Sequence, residues 1–324
     1  MTFRWGIIGT GFIAGEFVGG NRHVENSEIA GVASLNMELA KEFCNEYACG
    51  KPYPSAEELV LDDSIDGIYI ATPNQFHYEY MKLALSHNKH VYCEKPITMK
   101  LDRLLEVKKM AEDKNLLLLE GLWTNFLPAF KEVKRLIDED VIGHISLIES
   151  DFGFYSDYDE KSRLYNKKLG GGALLDVGVY VIAMATNFYK GYPSQITAIS
   201  SMGPSGVDHK TSMILSYDKN EHANLTAAID VETRQQLVLN GTKGRIILDE
   251  FWRAQSYDIQ MYTGDTTKKH VECPFRGNGH EYIIESFIDT IHHGKYVNDI
   301  FPIQQSVLIQ EIMKDVMEKV GLSY

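Results

Sequence analysis

The run Phe3-Arg4-Trp5-Gly6-Ile7-Ile8 is a short apolar strand that breaks at once into Gly9-Thr10-Gly11-Phe12-Ile13-Ala14 and then reads as helix to about residue 20. Few folds accept a strand that passes into a helix through glycines at these spacings. Gly9 permits the tight turn, Gly11 lets backbone approach a pyrophosphate, and Ala14 is small enough for helix to pack on strand. The helix N-terminus offers N–H donors to phosphate. A ligand-free glycine turn has the same look, but a second strand, Glu28 to Ser34, follows and completes the dinucleotide-binding context.

The alternation continues. A helix over 37–48 carries Leu39, Phe43 and Tyr47 on one face, and a third strand over 65–71 runs into Thr72-Pro73-Asn74 and a helix containing His77. A fourth strand ends in Glu94-Lys95-Pro96, and a helix over 101–114 leads to a fifth strand at 116–123. This pattern implies a doubly wound parallel sheet, an α/β Rossmann domain over 1–123. Ligands of such sheets bind beyond the carboxyl ends of the strands. The cofactor candidates are therefore Gly9, Gly11, Phe12, Ile13, Ser34, Asn36, Thr72, Pro73, Asn74, His77, Glu94 and Lys95. His77 fits two readings, contact with the cofactor or packing at the start of its helix. Lys95 sits where a strand stops, between a carboxylate and a turn-fixing proline, a placement that suits a reaction centre. A surface lysine paired with Glu94 is the other reading.

The end of the second strand reads Ser34-Leu35-Asn36, with no carboxylate to bind the adenosine ribose 2′-hydroxyl of NAD. Ser34 and Asn36 suit hydrogen bonds to a 2′-phosphate, and Lys41 lies within a turn of them. NADP(H) is expected over NAD(H), although no arginine stands there.

After Trp123 the pattern changes to a helix over 128–143 and a series of strand-like segments between 144 and 263, interrupted by the apolar helix opened by Gly170-Gly171-Gly172. Two helices finish the chain. The expectation is an α+β domain over 124–324 with a large, mainly antiparallel open sheet. Its strands carry apolar residues on more than one face and the helices expected in this half are too few to cover it, so a homodimer or higher homo-oligomer is expected.

Composition narrows the partners. A formal net charge of −13 argues against nucleic acid, and no uninterrupted apolar run reaches membrane-span length. The first residues lack a secretory leader pattern, and Cys44, Cys49, Cys93 and Cys273 lack paired CxxC spacing. A cytoplasmic protein with reduced thiols and no metal is the expectation.

The ordered set GTGFIA, ATPNQFHYEY, CEKPIT, EGLWTNFLPAF and LGGGALLDVGVY resembles the glucose-fructose oxidoreductase and inositol dehydrogenase (Gfo/Idh/MocA) family across both proposed domains. The resemblance implies NAD(P)-dependent oxidation of a secondary alcohol or reduction of its carbonyl, in a neutral sugar, polyol or diol. It places the family lysine on Lys95, the family aspartate on Asp176 and the terminal acid/base on Tyr180, where many relatives carry histidine. Read alone, Tyr180 is equally a core tyrosine and Asp176 a helix-start carboxylate. Trp123, Asn125, Phe154 and Arg163 join Asp176 and Tyr180 as substrate-binding candidates, Phe126, Phe152 and Tyr155 being further aromatic neighbours. Asn125 stands where relatives often carry a basic residue. Because the family also includes cofactor-sensing regulators, a silent nucleotide sensor that binds a protein partner is the alternative; the intact Lys95, Asp176 and Tyr180 favour the enzyme.

Overall fold

The strand before the glycine turn, β1 (Phe3–Ile8), lies inside a six-stranded sheet and buries nearly all its side chains. There follow α1 (Phe12–Asn21), β2 (Ser27–Ala33), α2 (Met37–Tyr47), β3 (Lys51–Tyr53), α3 (Ala56–Val60), β4 (Gly67–Ile70), α4 (His77–Ser86), β5 (His90–Cys93), α5 (Leu101–Lys114) and β6 (Leu118–Glu120). The strand order is β3-β2-β1-β4-β5-β6, and every pairing is parallel. The order reverses between β1 and β4, so the switch point of the sheet falls beside the Gly9–Gly11 turn. One strand of the six, β3, is not among the five expected from sequence. Pro52 is tolerated there because β3 is an edge strand paired only with β2.

The computed structural model describes residues 2–324. Beyond Trp123 come α6 (Pro128–Asp138), β7 (Ile145–Gly153), a π-helical turn Leu174–Gly178 that runs directly into α7 (Val179–Phe188), then β8 (Gln195–Met202), β9 (Asp208–Tyr217), β10 (Glu221–Ala228), β11 (Leu237–Gly241), β12 (Gly244–Leu248), β13 (Ser256–Met261) and β14 (Lys269–Glu272). These strands make an eight-stranded sheet in the order β14-β13-β12-β11-β7-β10-β9-β8. It is antiparallel except for the parallel β7–β10 pair. The π-helical turn and α7 pack on one face, over β7 and β10. The segment Lys167–Phe188 is apolar enough by composition to cross a membrane, yet its most apolar window is 94% buried within the protein, as a core helix is. The last helices are α8 (Glu281–His292) and α9 (Ile303–Val320).

The residues gather into two units. One holds the described chain up to Trp123 together with Arg276–Ser306, and the other holds Thr124–Phe275 with Val307–Tyr324. Sequence reading assigned all of 124–324 to the second domain, whereas Arg276–Ser306 returns to the first. The reason is aromatic packing. Phe287 of α8 sets its ring centroid 4.8 Å from Trp5, 6.0 Å from Phe3 and 6.2 Å from Tyr92, closing the core beneath the parallel sheet.

Candidate active site

Gly9 adopts φ +107°, and a Cβ there would sit 2.5 Å from the Ala71 carbonyl oxygen, so only glycine lets β1 turn this close to the end of β4. Gly11 caps α1 in extended conformation, and a Cβ on it would meet nothing within 4 Å. The space before the first turn of α1 is therefore open, as a pyrophosphate cradle requires. Phe12 (81% exposed) and Leu35 (85%) flank this edge with their side chains uncovered, and Ile13 is half-buried. The hydroxyls of Thr10 and Ser34 lie 2.8 Å apart. Asn36 Oδ1 accepts from Leu39 N at 3.0 Å and caps α2, which commits its carbonyl side and leaves the amide NH2 outside that bond. Lys41 pairs with Glu38 at 3.6 Å. These residues fit a nicotinamide dinucleotide: an open glycine turn at a helix N-terminus, edged by uncovered apolar side chains.

Thr72, Pro73 and Asn74 form the turn after β4, with Pro73 exposed and Thr72 Oγ1 buried without a partner. After β5 the chain turns through Glu94, Lys95 and a cis Pro96. Glu94 is buried and its Oε1 accepts from the Tyr69 hydroxyl at 2.7 Å. Burial pushes the Glu94 pKa up, and the Tyr69 hydroxyl and Lys95 ammonium pull it back. Lys95 is half-buried.

His77 packs at the start of α4. The ring is wholly buried, with Nδ1 2.9 Å from the Pro96 carbonyl and Nε2 2.8 Å from the Thr72 carbonyl. The ring lies between the Thr72 turn and the Lys95 turn; neutral it donates to one carbonyl, and only as imidazolium to both, a form that burial disfavours and the two carbonyls favour. On the other side Ile97 N donates to Glu120 Oε1 at 2.8 Å. Glu120 and Tyr69 were missed from sequence. The signal was a carboxylate ending the otherwise apolar strand Leu116–Leu119, which needs a partner if it is buried.

In the second unit the triple-glycine turn is built around Asp208. Its Oδ2 accepts from Leu174 N at 2.8 Å and from the Thr211 hydroxyl at 2.6 Å, so it caps the helix that carries Asp176 and Tyr180. Gly172 adopts φ +113°, and a Cβ on it would lie 2.4 Å from Asp208 Oδ1 and 2.6 Å from the Tyr324 hydroxyl. Tyr324 itself donates to the Gly171 carbonyl. Burial pushes Asp208 up to about 6.

Asp176 is buried, and its Oδ1 accepts from Arg163 Nη1 at 2.8 Å, while the Arg163 side chain stays 64% exposed. The Asp176 carboxylate raises the Arg163 pKa against burial, and Tyr180 adds to it. Arg163, Asp176 and Tyr180 therefore form one cluster. Asp176 lies in the π-helical turn, so the four-residue spacing to Tyr180 spans a change of helical pitch. The Tyr180 ring is 94% covered and meets Phe152 edge-on at 5.5 Å between centroids, and Phe152 stacks on Trp252 at 5.3 Å.

Other substrate candidates are placed differently. Phe154 is half-buried and Tyr155 is 66% exposed. Asn125 is wholly buried, so the expected substrate contact is a core position, in keeping with a small polar side chain among Phe126 and Leu127. Trp123 is buried to a similar degree as Asp176 and Tyr180, and its ring stacks on His280 at 4.6 Å within the first unit.

This fold and these residues define an NAD(P)-dependent oxidoreductase of CH–OH groups, and the chain belongs to the GFO/IDH/MocA family. Residues 3–122 match the oxidoreductase family, NAD-binding Rossmann fold, and residues 130–247 match the GFO/IDH/MocA C-terminal domain. The chain is 31% identical to trans-1,2-dihydrobenzene-1,2-diol dehydrogenase of Xenopus laevis over the whole of both chains, and 27% identical to that of Homo sapiens over 100% of this chain and 98% of the other. Among solved structures, an aldose-aldose oxidoreductase from Caulobacter crescentus superposes with TM-score 0.90 at 20% identity, covering 99% and 98% of the two chains. A 3-ketoreductase from Actinomadura kijaniata, in complex with NADP and TDP-benzene, superposes with TM-score 0.88 at 23% identity over 99% and 98%.

Proposed function

We propose that this protein transfers hydride between NADP(H) and the secondary alcohol or carbonyl of a neutral sugar, polyol or diol. The observation that carries the substrate class is the pairing of Arg163 with Asp176 beside Tyr180. The pair has no net charge, yet it sets guanidinium donors beside a carboxylate acceptor, a set matched to neighbouring hydroxyls rather than to a carboxylate. Relatives named for a diol and neighbours named for sugars fit the same chemistry.

The nicotinamide, when bound, supplies or takes the hydride. The protein's part is to hold the substrate and move one proton on its oxygen. Tyr180 is the proton donor in reduction and acceptor in oxidation, Asp176 and Arg163 bind substrate hydroxyls, and Lys95 supplies positive charge. NADP(H) is preferred because Ser34-Leu35-Asn36 places no carboxylate at the end of β2, while the Thr10 and Ser34 hydroxyls and the Asn36 amide are suited to phosphate. The four unpaired cysteines support a cytoplasmic setting.

Initial rates test both parts together. With a panel of hydroxyketones, diketones and ketoses and their carboxylated analogues, NADPH should be oxidised faster than NADH and neutral substrates faster than acids, each by about tenfold or more in kcat/KM. Faster turnover with NADH removes the cofactor preference, and a preference for acids removes the neutral-substrate reading.

Assembly through the second sheet is part of the same proposal. The face opposite α7 leaves Ile199 74% exposed and Ile214 45% exposed on the neighbouring strands β8 and β9. A homodimer that pairs these faces is expected, and sedimentation at micromolar concentration checks it. A single monomeric species would contradict it.

A further inference from the structure

We infer that Glu120 is a positioning residue for the reaction: as a carboxylate at the end of β6, it holds the Ile97 N–H and with it the turn that presents Lys95, and its titration switches the turnover rate. This deepens the proposed function and rests on Lys95 acting in the reaction.

The turn from Glu94 to Ile97 is pinned by three buried side chains from outside it. Tyr69 holds the Glu94 carboxylate, His77 holds the Pro96 carbonyl, and Glu120 holds the Ile97 amide. His77 and Glu120 both grip backbone on the C-terminal side of Lys95 and both can change charge; Glu120 is the carboxylate of the two and takes the Ile97 amide. It is 1% exposed, and its second oxygen, Oε2, has no hydrogen-bond partner. A buried carboxylate with one bonded oxygen is held poorly, so a modest change in pH changes its state. The charged form makes the shorter, stronger bond to the amide.

Several groups face Glu120. From the end of β5 and its turn come Cys93, Glu94 and Lys95, and from α9 comes Ser306, which sits close without hydrogen-bond geometry. His77 stands across the turn. Burial is the largest influence and pushes Glu120 up to about 7; Glu94 adds to the rise, and Ser306, the Ile97 amide and Lys95 oppose it. The sign follows from this. Because the folded value lies above that of an exposed carboxylate, Glu120 contributes stability that is full at low pH and is lost as pH rises through about 7. The tight amide bond has the opposite dependence, since the carboxylate exists only above that value. Acidification thus favours the fold at this residue while it loosens the Lys95 turn, so a fall in turnover on the acid side is not loss of protein.

The test is the pH profile of kcat for wild type, Glu120→Gln, Glu120→Asp and Lys95→Met, with thermal melting of each alongside. The isosteric Glu120→Gln keeps an acceptor for Ile97 N and cannot ionise. We expect the wild type to lose turnover as pH falls through about 7, and Glu120→Gln to lose that limb and run at a level about tenfold lower at alkaline pH, with KM for NADPH within about twofold. Glu120→Asp should recover a titrating limb, displaced in pH. If Glu120→Gln keeps the wild-type acid limb while Lys95→Met abolishes turnover, another group such as Glu94 or His77 titrates and this inference falls while the functional reading stands. If Lys95→Met turns over like wild type, the functional reading itself falls.

Discussion

Tyr180→Phe lowers kcat by about 10²–10⁴-fold while NADPH affinity stays within about twofold of wild type, because the substitution removes a proton donor and nothing else. The ring is buried and meets Phe152 edge-on at 5.5 Å, a contact that phenylalanine keeps, so thermal stability should change little. Carbonyl reduction requires one proton at the substrate oxygen as hydride arrives, and without the phenol it must come from water. The wild-type rate should fall at alkaline pH as the phenol loses its proton, and Tyr180→Phe should lack that limb. Single-turnover kinetics with the best neutral substrate measures this. Turnover within a few-fold of wild type would reduce Tyr180 to core packing.

Lys95→Met is expected to cost turnover and cofactor binding together, a different signature. Methionine keeps a long unbranched stem in the half-buried position and removes the ammonium, so the loss reports charge rather than a cavity. Removing one preorganised electrostatic contact from an active site typically costs about 10²–10³-fold in kcat, and Lys95 is asked to act on both the substrate oxygen and the nicotinamide ribose. NADPH should therefore also bind about tenfold more weakly, which Tyr180→Phe does not produce. Nicotinamide fluorescence titration gives the affinity and stopped-flow absorbance the rate. An unchanged Kd would remove the ribose contact, and an unchanged kcat the charge role.

The Rossmann unit was legible because its signals are local. A glycine pattern between an apolar strand and a helix, repeated alternation, and a lysine at a strand end are all set by residues within one or two turns of each other, where backbone sterics act directly. The family motifs were legible for the same reason. Short polar edge strands were not: β3 and β14 are stabilised by the strands they pair with, not by their own composition. Nor could local reading decide His77, since a histidine at a helix start looks the same whether it faces a ligand or, as here, two carbonyls.

What only the tertiary structure decided are the partnerships between residues far apart in the chain. Phe287 draws Arg276–Ser306 back to the first unit because the aromatic core under β1 and β5 has room for its ring. Asp208 caps a helix that begins 34 residues before it, and Glu120 grips an amide 23 residues before it. Sequence by itself determined the longer elements and where the family motifs fall, through short-range propensity and spacing. The fold decided which of those side chains are charged, held or buried, because desolvation and hydrogen bonding depend on neighbours that only packing supplies.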